Sequence, residues 1–415
     1  MPDQPAYLDT FMALNNVLAL GDPFSCFAPE NLNVPGCYNT RFIQADENVS
    51  SGTADHFSDL DLWGASLTAD LTLDAITLKS ITAYRDLDST FARDIDDSPL
   101  VIGHVWDSLK QDQFSQELQA LGDSMCGRLQ WIGGLYYLQE SADNLNLLEF
   151  TVANFRSGGT VKNKTWAAFG QATFDITDRL KLTGGIRYTE DKKSFTPDQV
   201  ILQVNVPDFI FPFPAGTPIL PNEEARIKAS EWTPMVNLAF DATEDMMLYA
   251  TYSEGFKSGG FTPRVFPPEP TIPSFDPEFV KVYEAGFKFT GLGNKFRLNG
   301  AVFHTKYDNL QLLITDTTRV GPFMENAAKA DITGFELEST LSPGDGWLFE
   351  GGLGYLDPKY KELDEGALGI TVNSEFQRIS KWTLNGAVSK DVSLGRLGSM
   401  VPRVDWSYRS SFFSD

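Results

Sequence analysis

Trp166 to Ile176 read WAAFGQATFDI and Arg179 to Tyr188 read RLKLTGGIRY, with only Thr177 and Asp178 between them. In the first stretch Trp166, Ala168, Gly170, Ala172, Phe174 and Ile176 share one side of an extended chain, and Gln171, Thr173 and Asp175 share the other. In the second, Leu180, Leu182, Gly184, Ile186 and Tyr188 alternate with Lys181, Thr183, Gly185 and Arg187. A period of two puts successive side chains on opposite faces of a strand. The two stretches are therefore read as strands with one greasy and one polar face, joined as a hairpin by a very short turn.

The construction recurs along the chain. Trp63, Ala65, Leu67, Ala69 and Leu71 oppose Gly64, Ser66, Thr68 and Asp70. Leu129, Trp131, Gly133, Leu135 and Tyr137 form another apolar row, as do Trp347, Phe349, Gly351, Leu353 and Tyr355, and Trp382, Leu384, Gly386 and Val388. Aromatic residues stand at the row ends, where a lipid-facing band meets its interfaces. Short links fall near residues 73–74, 122–126, 177–178, 241–245, 291–294, 342–346 and 391–399. Longer, polar or Pro-rich connections fall at 94–110, 141–158, 191–224, 258–277, 311–328 and 357–377. Successive antiparallel strands put connections at opposite rims, so a membrane barrel with short turns on one side and long loops on the other gives this alternation. A soluble sandwich has no reason to place a long loop at every other connection. The expected fold is all-β, an antiparallel transmembrane β-barrel, with about fourteen strands between Leu60 and Phe413. Residues 1–59 are expected to form a loop or lead-in to a partial barrel, and 60–415 the partial barrel itself.

Composition agrees. Aromatic residues make up 13% of the 415, with 31 Phe, 13 Tyr and 8 Trp, and 56 Asp plus Glu outweigh 33 Lys plus Arg for a formal charge of -23. Nucleic acid is excluded as a partner, because phosphate contacts require positive charge to replace released counterions. No stretch approaches the roughly 20 apolar residues of a membrane-crossing helix; a spanning strand needs only about 10 residues of alternating character. Met1 to Thr10 (MPDQPAYLDT) has neither a basic start nor an apolar core, so no export signal is recognised there. Cys26 and Cys37 bracket a turn-rich segment with Pro29, Pro35 and Gly36; a disulfide in an oxidising loop and two free thiols both fit. Cys126 has no partner in its sequence neighbourhood.

Chemistry-bearing groups are sparse. Asp94, Asp96 and Asp97 offer hard oxygen ligands for calcium, but the order of a calcium-binding loop is absent and an acidic loop facing solvent is the favoured reading. His56, His104 and His304 are too few and too widely spaced for a metal site, and His304 fits a strand interface or a lumen. Ser253, Glu254 and Lys257 suggest acid-base chemistry, yet they read better as a strand running toward a loop. No catalytic group is assembled, so no enzyme, cofactor or metal is expected. The ligand-binding residues are left unassigned. The aromatic and polar loop segments Phe209 to Phe213 (FIFPF), Phe261 to Phe266 and Phe323 to Asn326 are the places to look. Packing of those loops against one another is the favoured reading.

Thr251 to Phe261 (TYSEGFKSGGF), Phe279 to Phe289 (FVKVYEAGFKF), Phe303 to Leu310 (FHTKYDNL) and Glu325 to Glu338 (ENAAKADITGFELE) resemble the barrel region of TonB-dependent outer-membrane receptors. Thr165 to Glu190 and Phe114 to Leu121 (FSQELQAL) continue the resemblance, and together these segments cover most of the chain in order. The resemblance implies a barrel of about 22 strands with a plugged lumen. It also implies import of siderophores, vitamin B12, haem or some carbohydrates, with energy passed from the inner membrane by a periplasmic coupling protein. The complete protein is then expected in the outer membrane, surrounded by lipid, binding a siderophore-like or other bulky ligand. A passive porin or a surface-binding barrel is the alternative. No coupling box or plug is recognised ahead of the first strand, and the sequence stops at Ser414 and Asp415 without a terminal aromatic strand. The expectation is an incomplete part of such a barrel.

Overall fold

The computed structural model describes residues 10–42, 51–54, 56–314, 323–364 and 370–413. Its strands are β1 (Phe57–Leu73), β2 (Ile76–Asp94), β3 (Gly103–Ser124), β4 (Leu129–Phe150), β5 (Ala153–Thr177), β6 (Leu180–Pro197), β7 (Val200–Val204), β8 (Ala225–Thr243) and β9 (Met246–Lys257). They continue with β10 (Gly260–Phe261), β11 (Ser274–Phe275), β12 (Glu278–Gly291), β13 (Phe296–Ile314), β14 (Phe323–Gly344), β15 (Trp347–Leu363), β16 (Trp382–Lys390), β17 (Val392–Ser393), β18 (Ser399–Met400) and β19 (Arg403–Arg409). One sheet runs in chain order through β1 to β6, β8, β9, β12 to β16 and β19, fourteen strands along its path, with β7 laid against the upper part of β5. Every pairing in it is antiparallel. Among the described residues the sheet does not close: β1 and β19 each have one neighbour.

The register puts the apolar rows on one common face. Gly122, Trp131, Ala172, Gly184, Val236, Tyr252 and Tyr283 stand opposite one another across seven consecutive strands of the path. So do Leu238, Ala250, Ala285, Val302, Phe335, Tyr355 and Trp382. These rows lie on the surface: Val302 is 59% exposed and Val236 48%. An apolar face this extensive has no soluble explanation, since monomeric proteins rarely expose more than a few hundred Å² of contiguous apolar surface. Aromatic pairs edge the band on one side, with ring centroids 5.3 Å apart for Trp63 and Tyr84, 5.2 Å for Trp166 and Tyr188, 4.9 Å for Tyr188 and Trp232, and 4.6 Å for Tyr355 and Trp382. Just beyond them the face becomes charged, as where Glu190 holds Lys192 at 2.8 Å and Lys228 at 2.7 Å. That change from rings to ions marks an edge of the hydrocarbon.

The short connections lie at the other rim and carry turn chemistry. Leu292, Gly293 and Asn294 all have positive φ, as do Met125, Cys126 and Gly127. At Gly346, with φ of 76°, a Cβ would also stand 2.3 Å from the Asp391 carbonyl, so only glycine fits.

Several expectations need correction at the loop rim. Residues 141–158 and 94–110 read as long connections. Instead β4 and β5 pair almost to their ends, Glu149 opposite Asn154, leaving Thr151 and Val152 as the turn, and β3 begins at Gly103. Strands of 22 and 25 residues in β4 and β5 are about twice what a crossing needs. Beyond the membrane no lipid imposes an apolar row, so this half of each strand looks like loop in sequence. The first strand begins at Phe57, within the boundary error of the expected start near Leu60. Residues 315–322 and 365–369 of two expected loops lie outside the described residues. So do 1–9 and 414–415, on which the expectations about the chain ends rest.

Candidate functional site

The long connections meet at one rim, and most of the well-packed interior of the molecule is there. Val152, Ala153, Phe155, Phe195, Ile201, Phe211, Ile219, Leu220 and Val265 form a buried cluster drawn from the β4–β5 turn and the start of β5, the end of β6, the 198–224 connection and the 258–277 connection. Its centre is aromatic. Phe211 stacks on Phe266 at 5.5 Å and 19°, and Phe155 meets both edge-on at 6.1 and 5.8 Å. Phe213 meets Phe266 edge-on at 5.5 Å, and Phe195 lies 5.9 Å from Phe261. Offset and edge-on pairs add about 0.5–1.5 kcal/mol each beyond the burial of their area. Of the segments singled out in the sequence, Phe211, Phe213, Phe261 and Phe266 thus tie the loops together. Phe209 is 87% exposed at the loop surface.

The third segment is likewise structural. Phe323 is buried with Ile314 and Ala327. Asn326 accepts the Asp276 N–H at 2.6 Å and donates to the carbonyls of Asp276 at 2.8 Å and Asn309 at 2.9 Å. The Gln311 amide donates to the Ser258 and Asp276 carbonyls, and Lys193 donates to the Gly259 carbonyl at 2.9 Å. Inward-facing strand ends and loops are thereby locked into one rim.

The N-terminal segment packs on the same rim. Leu14 and Leu18 of helix α1 (Thr10–Leu20) lie against the aromatic cluster. Cys26 and Cys37 are joined as a disulfide, Cα atoms 5.3 Å apart. Buried Asn16 donates to the carbonyls of Pro23 and Tyr38 and accepts the Tyr38 N–H at 2.8 Å, closing the segment on itself.

The acidic triplet is not a solvated loop. Asp94 and Asp96 are buried and satisfied mainly by backbone. Asp94 accepts the N–H groups of Asp96 and Asp97 on one oxygen and of Thr53 and Ala54 on the other. Asp96 accepts the hydroxyl and N–H of Ser98 and the N–H of Gly103. Burial pushes the Asp96 carboxyl above the usual carboxylate range, with the Ser98 hydroxyl opposing and the Asp94 charge assisting. The Tyr38 phenol is raised by its own burial and then by the charges of Asp96 and Asp97, so the N-terminal segment borders this turn. Asp97 itself is exposed, with positive φ. Among the described residues no group of three His, Cys, Asp or Glu side chains is placed to hold a metal.

The histidines are separate. His56 is exposed ahead of β1. His104 lies 2.9 Å from the Thr53 hydroxyl, and His304 2.9 Å from the Thr333 hydroxyl. His304 stands opposite Tyr283, so it belongs to the outward row, not a lumen. Ser253 and Glu254 are adjacent in β9 and point to opposite faces, which disposes of an acid-base pair.

Two inward features were not singled out from sequence. Arg187 lies over the rings of Tyr136 at 5.5 Å and Phe169 at 5.7 Å, and its Nε donates to the Thr189 hydroxyl at 3.0 Å. Nearer the rim, buried Asp107 accepts from the amides of Asn144 and Asn146, and Arg264 of the long loop donates to Asn146 at 3.2 Å. Arg187 was visible only as one member of a polar row. The partners of Arg264 lie far from it in sequence, so nothing local marked them. The arrangement presents hydrogen-bonding groups and a cation stacked on aromatic rings on the inward face.

A family described as TonB dependent receptor-like, beta-barrel matches residues 15–415. The pesticin receptor of Yersinia pestis is 24% identical over 312 residues, covering 73% of this chain and 42% of that protein. The metal-pseudopaline receptor of Pseudomonas aeruginosa is 32% identical over 106 residues, covering 26% of this chain and 14% of its own length. Among solved structures, the ferric yersiniabactin uptake receptor of Yersinia pestis superposes with a TM-score of 0.73 at 20% identity, over 88% of this chain and 52% of that one. The ferric preacinetobactin receptor of Acinetobacter baumannii superposes with a TM-score of 0.62 at 17% identity, over 85% and 52%. These structural likenesses are likenesses of fold. The chain spans about half the length of the known structures it matches.

Proposed function

Because the chain belongs to the TonB-dependent outer-membrane receptor β-barrel family, we propose that it forms part of an energy-coupled receptor that imports a siderophore-like or similarly bulky ligand. In this reading the fourteen strands are a share of a barrel of about 22 strands, and residues 60–415 act as that barrel portion, with the segment before them as loop. Lipid surrounds the apolar face, and a periplasmic coupling protein supplies energy through the receptor's plug. The family match over residues 15–415 is the observation that carries the proposal. The loop rim supports it, because a bulky ligand needs a broad, rigid mouth, and the aromatic cluster fixes three connections in one.

The test is uptake by cells carrying the gene with its native flanks, with labelled ferric siderophores as probes. Uptake that stops when the inner-membrane proton gradient is collapsed is the expected result. Uptake that persists without the gradient identifies a passive channel and overturns the proposal, as does tight surface binding with no uptake at all.

A further inference from the structure

The seam between β8 and β9 opens toward the loop rim. β8 pairs with β6 as far as Ala225, whereas its pairing with β9 stops at Met235 opposite Ser253. Pro234 is the next residue of β8, and without an N–H it has no donor to offer across the seam. Beyond that point β9 stays with β12, Lys257 opposite Glu278, and its continuation passes on the lumen side of β8 to reach β6. There Lys193 donates to the Gly259 carbonyl at 2.9 Å and Phe195 meets Phe261. The upper part of β15 likewise outruns β16, but the following connection returns to it: the Leu356 N–H donates to the Lys381 carbonyl at 2.9 Å and Phe376 stacks on Tyr360. Nothing comparable returns to β8. From Ala225 to Pro234 it has a neighbour on one side only, and among the described residues no backbone bond reaches its other edge.

This free edge rises from the aromatic belt at Trp232 through the ion tier at Lys228, so most of it stands in water beyond the hydrocarbon. It presents alternating N–H and C=O groups, the pattern that a second extended chain completes. Exposed edges are normally blunted by charge or proline. Here Arg226 and Lys228 are held by Glu224 and Glu190, and the one proline of the stretch stands at its closed end. At the foot of the edge a recess of about 280 Å³ opens between Glu231, Trp232 and Thr233 of β8 and Glu254, Gly255 and Phe256 of β9. Lys281 stands directly opposite Glu254 and offsets it, and Lys329 lies near Asp308 on the far side of the recess. Glu231 is left over. It stands opposite Thr189 and belongs to no ion pair among the described residues, while Arg187, diagonal to it, is stacked on Tyr136 and Phe169.

We propose that this edge is a docking site for an extended polypeptide segment carrying a basic side chain, which adds to the sheet from the loop side in the place that β9 vacates. Its backbone completes the ladder along Ala225 to Thr233, and its basic residue enters the recess to meet Glu231. The ladder supplies affinity without regard to sequence, and the recess supplies the choice of residue. No lipid, sugar or small anion matches a row of donors and acceptors repeating along a strand. The proposal rests on the course of the sheet and is independent of what the receptor imports.

The experiment uses the receptor extracted from outer membranes in mild detergent, with hydrogen exchange read residue by residue. In the free receptor, every second amide of residues 226–233 is expected to exchange at least about tenfold faster than the amides of 235–241, which are paired on both sides. The probe is a synthetic peptide of alternating threonine and valine with one lysine, about nine residues long to match the free edge. It is expected to bind once per receptor and to slow those same amides. Two N-methylated forms, blocked along one edge or along the other, separate strand pairing from simple adhesion. One is expected to bind at least about tenfold more weakly and the other as the parent does. Glu231→Gln is expected to weaken the lysine peptide about threefold and to leave a glutamine-bearing peptide unchanged. Uniform protection from 226 to 241 in the free receptor, absence of peptide binding, or equal binding of the two methylated forms overturns the proposal. Indifference of the lysine peptide to Glu231→Gln overturns the role given to the basic side chain.

Discussion

Gly184 and Gly185 are adjacent in β6 and face opposite ways, which makes them a matched test of which face meets lipid. Gly184 lies in the outward row with Leu182 and Ile186, four residues from both Leu180 and Tyr188, near the middle of the band. A Cβ at Gly184 meets nothing within 4 Å, and one at Gly185 meets only the Gln171 side chain at 3.5 Å, so neither substitution is blocked sterically. Replacing either glycine removes the same unfolded-state freedom, worth about 0.5–1 kcal/mol, and that contribution cancels in the comparison. What differs is the solvent. Arginine facing hydrocarbon at the midplane of a barrel costs about 2–4 kcal/mol, while a lumen-facing arginine stays wet. Gly184→Arg should therefore be less stable than Gly185→Arg by about 2–4 kcal/mol, roughly 30-fold to 1000-fold in the unfolding equilibrium. Snorkelling of the long side chain toward the Tyr188 end pulls the value to the lower limit. Reversible denaturant unfolding in phospholipid vesicles, followed by tryptophan fluorescence, measures it. Equal losses from the two variants, or a larger loss at Gly185, would refute the assignment of faces.

Without reductant, a thiol reagent is expected to label Cys126 and spare Cys26 and Cys37. Cys26→Ser should weaken the N-terminal segment by about 3 kcal/mol, seen as faster hydrogen exchange of residues 10–42 with the strands unchanged. Phe211→Ala should cost the loop cluster about 3–5 kcal/mol and open residues 198–224 to protease. Phe209→Ala, at an 87% exposed position, should leave protease resistance within about 0.5 kcal/mol of the original. Asp94→Ala removes the acceptor of four backbone N–H groups. It is expected to free residues 51–54 at a cost of at least about 3 kcal/mol, and unchanged exchange at Thr53 and Ala54 would count against the anchoring role.

The strands inside the membrane could be read because lipid on one side and polar contents on the other enforce a period of two. The row Leu180, Leu182, Gly184, Ile186, Tyr188 is as plain in sequence as in the sheet, and the path count of fourteen followed from it. Where that asymmetry ends, the signal ends too. Asn144, Asn146 and Ser157 pair as strand residues in β4 and β5, but both sides there are wet or covered by loops, so nothing in their spacing marks extended structure. The Asp94 turn is a different kind of miss. Its run Asp-Ile-Asp-Asp-Ser-Pro is ordinary turn chemistry, in which short carboxylates accept nearby backbone N–H groups. That signal was present and was read instead as an acidic loop facing solvent.

The loop cluster and the candidate site were hidden for a stronger reason. Phe155, Phe211 and Phe266 meet although one lies at the start of β5 and the others in two separate connections, and no local period can announce a contact whose partners are set by the order of strands around a sheet. The same holds for Arg187, whose two aromatic platforms come from β4 and β5. Membrane residence is a property of every strand and is repeated along the chain, whereas recognition is made once, from single side chains brought together by topology. A ligand-selective change should accordingly fall on such unrepeated positions. Arg187 is the sharpest case, since its charge lies over two aromatic faces supplied by neighbouring strands.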